Sequence, residues 1–185
     1  MQRKKETIPG QSGVRPPFRN KRRTTEYGRQ LYEKQIVKRA YGVRERQFKR
    51  FFDIATRSQG APGEVLLSLL ERRLDNVVYR LKLAATRAQA RQMVVHGHVT
   101  VNNAKVYSPS YITNVGDQVS LTSKAAQKSE FIESVVNKRF KTHAKVPEWL
   151  ELDKKNMLGR IVRFPVRDDI QLQVNENSIV ELYSK

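Results

Sequence analysis

Cysteine is absent from all 185 positions. That absence excludes disulfide frameworks, thiolate nucleophiles, redox-sensing thiols and every zinc site that needs sulfur ligands. Acidic residues are scarce: 18 Asp and Glu face 36 Lys and Arg, leaving a net charge of +18 and a pI near 10.4. No stretch approaches the roughly 18 uninterrupted apolar residues of a membrane span. Met1 to Lys5 leads into Glu6, Thr7 and Pro9 instead of an apolar run, so no secretory signal is read. A Lys-rich amphipathic helix or a lipidation signal, which attachment to a membrane would need, is missing too. Aromatic residues make up only 8% of the chain, against 38% hydrophobic residues overall. Such a chain can still bury roughly 70% of its unfolded surface, as one domain or two small ones. The charge excess calls for a polyanion, and with membranes set aside nucleic acid is the fitting partner.

The charge is unevenly placed. Residues 1–50 hold 16 basic and 4 acidic side chains, residues 51–120 hold 8 and 5, and residues 121–185 hold 12 and 9. Two-thirds of the excess therefore sits in the first quarter of the chain, as a basic arm or lobe on a more ordinary body. Residues 1–23 carry Pro9, Gly10, Gly13, Pro16 and Pro17 among Arg15, Arg19, Lys21, Arg22 and Arg23. No helix or strand runs through such punctuation, so this segment is expected to be an extended arm that orders against opposite charge.

Helical periodicity begins at the N-cap candidates Thr24 and Thr25 and reaches Ala40, with Tyr27, Leu31 and Gln35 on one stripe and Gly42 closing the helix. A second helix spans about Arg44 to Arg57, burying Phe48, Phe51, Phe52 and Ala55 and pointing Arg46, Lys49 and Arg50 elsewhere. Pro62 suits the first position of a third, whose stripe is Val65, Leu66, Leu69 and Leu70. The aromatics at helical spacing are read as core, not as stacking platforms.

From Arg72, Leu74, Val77, Val78 and Leu81 continue a helical face, and Thr86-Arg87-Ala88-Gln89 presents a capping box. The helix it opens buries Ala90, Met93 and Val94 and stops at Gly97. Val99 and Val101 alternate with polar residues, Asn102-Asn103 tolerates positive φ, and Val106 resumes an extended run, which together predict a β-hairpin. Gly116-Asp117 marks a turn before a half-buried strand at Val119 and Leu121. Further elements are a helix over 129–140, strands over 149–152 and 159–164, and a short terminal helix after an Asn175 cap.

Catalysis finds no foothold in this pattern. Asp168-Asp169 and the Glu130/Glu133 pair lie beside no histidine, and Gly10-Gln11-Ser12-Gly13 is too short to cradle a triphosphate. His96 and His98 straddle a helix-to-strand break with only His143 left as a third histidine, which makes no zinc spacing. They are read as cap residues or RNA contacts. The outer face of the Arg87 helix carries Thr86, Arg87 and Arg91, and two arginines one turn apart can grip successive phosphates.

Residues Arg73 to Leu81, Thr86 to Gln92, His96 to Asn102, Pro109-Ser110-Tyr111 and Gly116-Asp117 closely resemble the small-subunit ribosomal protein S-four family. Upstream, Pro9 to Gly13, Glu26-Tyr27-Gly28, Glu33-Lys34-Gln35, Tyr41-Gly42-Val43 and Glu45 to Phe48 resemble it too, as does the tail from Val174 to Lys185. The 72–121 module alone occurs in several RNA-handling families, whereas the flanking motifs resemble the ribosomal protein specifically.

The resemblance implies an α+β fold in two parts. A helical first domain over 24–81 is completed by 175–185, and the inserted α+β domain over 82–174 has a small antiparallel sheet. The RNA-binding module of two helices and a β-hairpin spans 72–121. It also implies a structural, non-enzymatic role with no cofactor, in which the chain binds a multi-helix junction of small-subunit ribosomal RNA early in assembly. Messenger RNA where it enters the subunit, the neighbouring protein S-five, translational accuracy and a place in ribosomes of the cytoplasm or an organelle belong to the same expectation. Rival readings are a free-standing RNA-binding module and the accessory part of an RNA-modifying enzyme. The chain departs from the family pattern in lacking the amino-terminal cysteine-bearing extension, and at Ser12, Lys82 and Asn103, where the family commonly has histidine, glycine and glycine.

Residue by residue, the surface expected to meet RNA is the arm's Arg15, Arg19, Lys21, Arg22 and Arg23, followed by Tyr27, Lys34, Gln35, Arg39, Arg44, Gln47 and Arg50. Beyond these come Arg72, Arg73, Asn76, Arg80, Thr86, Arg87, Gln89, Arg91, His96, His98 and Asn102.

Overall fold

The computed structural model describes residues 25–126, 146–153 and 156–184. The arm, with Arg15, Arg19, Lys21, Arg22 and Arg23, and the helix expected over 129–140 lie outside them.

Helix α1 (Glu26–Ala40) starts where the Thr25 hydroxyl accepts a hydrogen bond from the Gly28 amide at 3.2 Å. Its buried face differs from the one expected. Gln30, Lys34 and Val37 turn inward, while Tyr27 is 59% exposed. The reason is pairing: Gln30 donates to Glu181 at 2.9 Å and Lys34 to Glu45 at 2.7 Å, so polar side chains with partners take the inner stripe. Helix α2 (Glu45–Arg57) buries Phe48, Phe51, Phe52 and Ala55, and α3 (Pro62–Glu71), with Pro62 at its start, is apolar nearly all round. Helix α4 (Leu74–Arg80) and helix α5 (Arg87–Val95) follow. At the start of α5 the Thr86 hydroxyl accepts from the Gln89 amide at 3.1 Å, and the Gln89 side chain reaches back to the Ala85 amide at 2.6 Å. Gly97 ends that helix at φ +68°, with the Tyr107 ring where a Cβ would stand.

Strands β1 (Val99–Val101) and β2 (Ala104–Lys105) form the predicted hairpin, with Asn102 and Asn103 both at positive φ. Strand β3 (Gln118–Leu121), a short helix α6 (Ser123–Ala126), and strands β4 (Leu150–Asp153) and β5 (Leu158–Ile161) complete an antiparallel sheet of order β2-β1-β3-β5-β4. The strand expected to reach Phe164 stops at Ile161, where the regular pairing with β4 ends at Leu150; beyond it only the Val162 amide still donates to the Trp149 carbonyl, at 3.0 Å. The terminal helix α7 (Glu176–Tyr183) is capped by the Asn175 carboxamide, as expected.

Apolar side chains gather in two cores. The first joins α1, α2 and α3 to α7 and includes Ile170 and Val174. The second joins α4, α5 and the sheet around the fully buried Trp149. Leu74, Val77, Val78 and Leu81 belong to the second core, so the chain passes between cores near Arg72, and Ile170 and Val174 belong to the first. An uninterrupted helical face carries no mark of which core it joins. Lys82 and Asn103, where the resemblance implies glycine, adopt φ values of 63° and 65°.

Glu45 ties the first lobe together, accepting hydrogen bonds from Lys34 (2.7 Å), Lys38 (2.8 Å) and the Tyr183 hydroxyl (2.9 Å). Burial works against its charge, but these three donors outweigh burial and lower its pKa to about 2. Its folded pKa thus lies below its ordinary value, so its contribution is complete above pH 4.5 and disappears as pH falls toward 2. With this carboxylate 48% exposed, solvent screening holds the contribution to about 1 kcal/mol. Glu45→Gln should therefore melt below the wild type at neutral pH, and the two melting curves should converge near pH 2. A constant offset across that range would contradict the assignment.

Candidate nucleic-acid interface

Helix α2 turns one face into the first core and the other to solvent. On the outer face Arg46, Lys49 and Arg50 follow the i, i+3, i+4 spacing that places side chains side by side, and all three are exposed. Arg44 stands exposed at the helix start, and Arg39 and Arg29 project from α1. Among the described residues none of these six enters an ion pair. Exposed guanidinium and ammonium groups with no carboxylate partner keep their full field for an external anion.

A second group forms around α4 and α5. Glu71, at the end of α3 and 1% exposed, accepts from the Tyr41 hydroxyl (2.7 Å), the Asn76 amide (2.6 Å) and both Nε (3.0 Å) and Nη2 (2.6 Å) of Arg80. Burial, and then the adjacent Glu71 carboxylate, push the Tyr41 phenol upward, so it stays a donor. For Arg80 the opposing effect of burial is outweighed by its bonds to Glu71, which raise it. The Asn76 carbonyl in turn accepts from Arg87 Nε at 2.8 Å, and the Arg87 guanidinium lies 4.7 Å from the centre of the Tyr79 ring and 5.2 Å from that of Tyr41.

This geometry separates the residues expected to meet RNA. Tyr27, Arg39, Arg44, Arg50, Thr86 and His96 are exposed, Gln35, Gln47 and His98 partly so, and Arg91 keeps 43% of its side chain exposed, 3.8 Å from Asp75. Others are committed within the fold. Arg73 is fully buried, held in a fork by Asp75 at 3.1 and 2.5 Å, and has no surface to offer a ligand. Asn76 is 1% exposed, and Lys34 and Arg80 are neutralised by Glu45 and Glu71. Arg72 donates to the Thr113 carbonyl and to Asn114, with its guanidinium over Phe164, and burial lowers its pKa. Gln89 caps α5, and Asn102 ties the hairpin turn to Asp117 and to the Gln118 amide at the start of β3.

Sequence reasoning left Arg46 and Lys49 out of the candidate RNA contacts, although their spacing against Phe48 and Phe52 marks them as outward-facing. It also overlooked Glu71, for which only an acid beside Arg72 and Arg73 was visible. Asp169 is held below the usual carboxylate range by hydrogen bonds from Arg163 at 2.6 and 2.9 Å, against the smaller effect of burial. Among the described residues no group of three or more histidines or carboxylates could hold a metal.

Arg87 and Arg91, one turn apart, should respond differently to truncation. Arg87→Ala removes a hydrogen bond to a buried amide and should cost about 1.5–3 kcal/mol in a urea melt. Arg91→Ala should change stability by less than about 0.5 kcal/mol. Equal losses would contradict this division.

The sequence profile described as "Ribosomal protein S4/S9 N-terminal domain" matches residues 1–71, and that of the "S4 domain" matches residues 72–119. The junction of the two falls where the chain passes between cores. A small ribosomal subunit protein uS4A from Alkaliphilus metalliredigens is 47% identical over 98% of this chain and 84% of its own length. The uS4 proteins of Acetivibrio thermocellus and Thermoanaerobacter sp. are 48% and 50% identical, each over 96% of this chain and 81% of their own. The chain belongs to the small ribosomal subunit protein uS4 family.

Proposed function

We propose that this chain is a structural constituent of the small ribosomal subunit that binds ribosomal RNA and performs no catalysis. The observation that carries this reading is the unpaired cationic face of α2 and α1, set on a chain whose second part matches the S4 domain. Exposed cations on a folded scaffold neutralise phosphates, and their fixed spacing selects RNA by shape and not by base sequence. The Thr86, Arg91 and His96 surface of α5 adds a second contact, and Arg15, Arg19, Lys21, Arg22 and Arg23 of the arm add a third.

Buried residues up to Leu70 and from Ile170 onward supply the core of the first lobe, and those from Leu74 to Ile161 supply that of the second. The RNA is a multi-helix junction bound early in assembly. Protein S-five and messenger RNA at its point of entrance are the neighbours, and translational accuracy is the process they share. Family membership supports the non-enzymatic role.

Sedimentation tests the reading. The chain should travel with small subunits at one copy per particle, and it should bind subunit RNA with an affinity that falls by orders of magnitude between about 50 and 200 mM salt. The salt slope should be steeper for the full chain than for one starting at Thr24. Migration wholly apart from particles would refute the proposal.

A further inference from the structure

We propose that Glu71 is a positioning residue: it sets the angle between the two lobes, so that their separate cationic surfaces engage one folded RNA together. This rests on the RNA-binding reading above.

The two cores are separate apolar clusters, and apolar burial has no directional preference that would fix one lobe against the other. The polar bridge does. Tyr41 belongs to the first core, Asn76 and Arg80 to α4, and Arg87 to the first turn of α5. The Glu71 carboxylate binds the first three within 2.6–3.0 Å, and Asn76 passes the connection to Arg87 at 2.8 Å. Every one of these bonds has a preferred direction, and a buried network with all its members satisfied holds one geometry. The outcome is that α5, with Thr86 and Arg91, is registered against α2, with Arg46 and Arg50. Two sites held at a productive separation bind a rigid ligand far more tightly than the same sites on a loose joint.

The test uses the full chain and two RNA probes: a folded multi-helix junction from small-subunit ribosomal RNA, and single-stranded polyuridylate. Glu71→Gln keeps the shape and removes the charge, and Tyr41→Phe removes one bond on the side of the first lobe. Both variants should lose about tenfold or more in affinity for the junction and stay within about twofold for polyuridylate, since avidity and not phosphate contact is lost. The absence of cysteine allows spin labels at Asp53→Cys on α2 and Gln92→Cys on α5, and the distance distribution between them should broaden in both variants.

Unchanged junction affinity in a folded variant overturns the proposal, as does a parallel loss for both RNAs or an unchanged distance distribution. If Glu71→Gln is unfolded at the assay temperature, Tyr41→Phe decides alone. Failure of the wild type to bind either RNA would instead sink the proposed function.

Discussion

Replacing Arg46, Lys49 and Arg50 together by glutamine is expected to lower affinity for small-subunit ribosomal RNA roughly a hundredfold or more near 0.1 M salt, and to flatten the salt slope by about three. The expectation follows from placement. The three side chains share one exposed face of α2 and meet no carboxylate among the described residues, so no internal partner competes with a phosphate. Each phosphate contact that is lost stops releasing a counterion, and the slope counts those losses. Folding should be untouched, because exposed substitutions away from caps and networks stay within about 0.5 kcal/mol each. Fluorescence anisotropy at several salt concentrations, with a thermal melt beside it, measures both. An unchanged slope would remove α2 from the interface, and a matching drop in melting temperature would make the effect structural.

Trp149→Ala is expected to cost about 3–5 kcal/mol, the range for deleting a fully buried large aromatic side chain. Trp149 is 0% exposed and lies in the core that α5 shares with the sheet, beside Ala90, Met93, Val94 and Ile161. The cavity cannot collapse easily, since helices α4 and α5 and strands β1, β3, β4 and β5 all contribute side chains to the same cluster. Trp149 is the only tryptophan, so the unfolding curve must be followed by circular dichroism in urea. Loss of less than about 1 kcal/mol would show that this core repacks freely. Because α5 rests on that core, the variant should also bind RNA more weakly under conditions where half its molecules are unfolded.

How far the chain could be read in advance depended on whether the signal was local. Caps at Thr25, Thr86 and Asn175, the left-handed pair Asn102-Asn103 and the apolar stripe of α2 all act within a few residues, and each stands in the structure where its spacing put it. The inner stripe of α1 was misread because its occupants are polar and their partners, Glu45 and Glu181, lie far along the chain. The same limit governed the interface. Charge told which residues could meet a phosphate, but only tertiary structure shows that Arg73, Arg80 and Lys34 have already met a carboxylate. Counting basic residues therefore overstated the second lobe, whose Arg73 and Arg80 are taken up by Asp75 and Glu71, and understated α2, where none is consumed. The division between cores was illegible for a further reason: α3 and α4 are separated by only two residues and are both strongly apolar, yet they face different partners.

Helix α7 packs on α1 and α3, and its Tyr183 ring stacks on Phe52 at 4.5 Å, although nearly the whole second lobe lies between them in the chain. Vectorial synthesis therefore delivers this protein out of order. While the polypeptide is still emerging, α4, α5 and the sheet can reach their native packing, but Phe48 and Phe52 wait uncovered until residues near 183 appear. A nascent chain halted before Asn175 would present an aromatic surface to chaperones that the finished molecule hides.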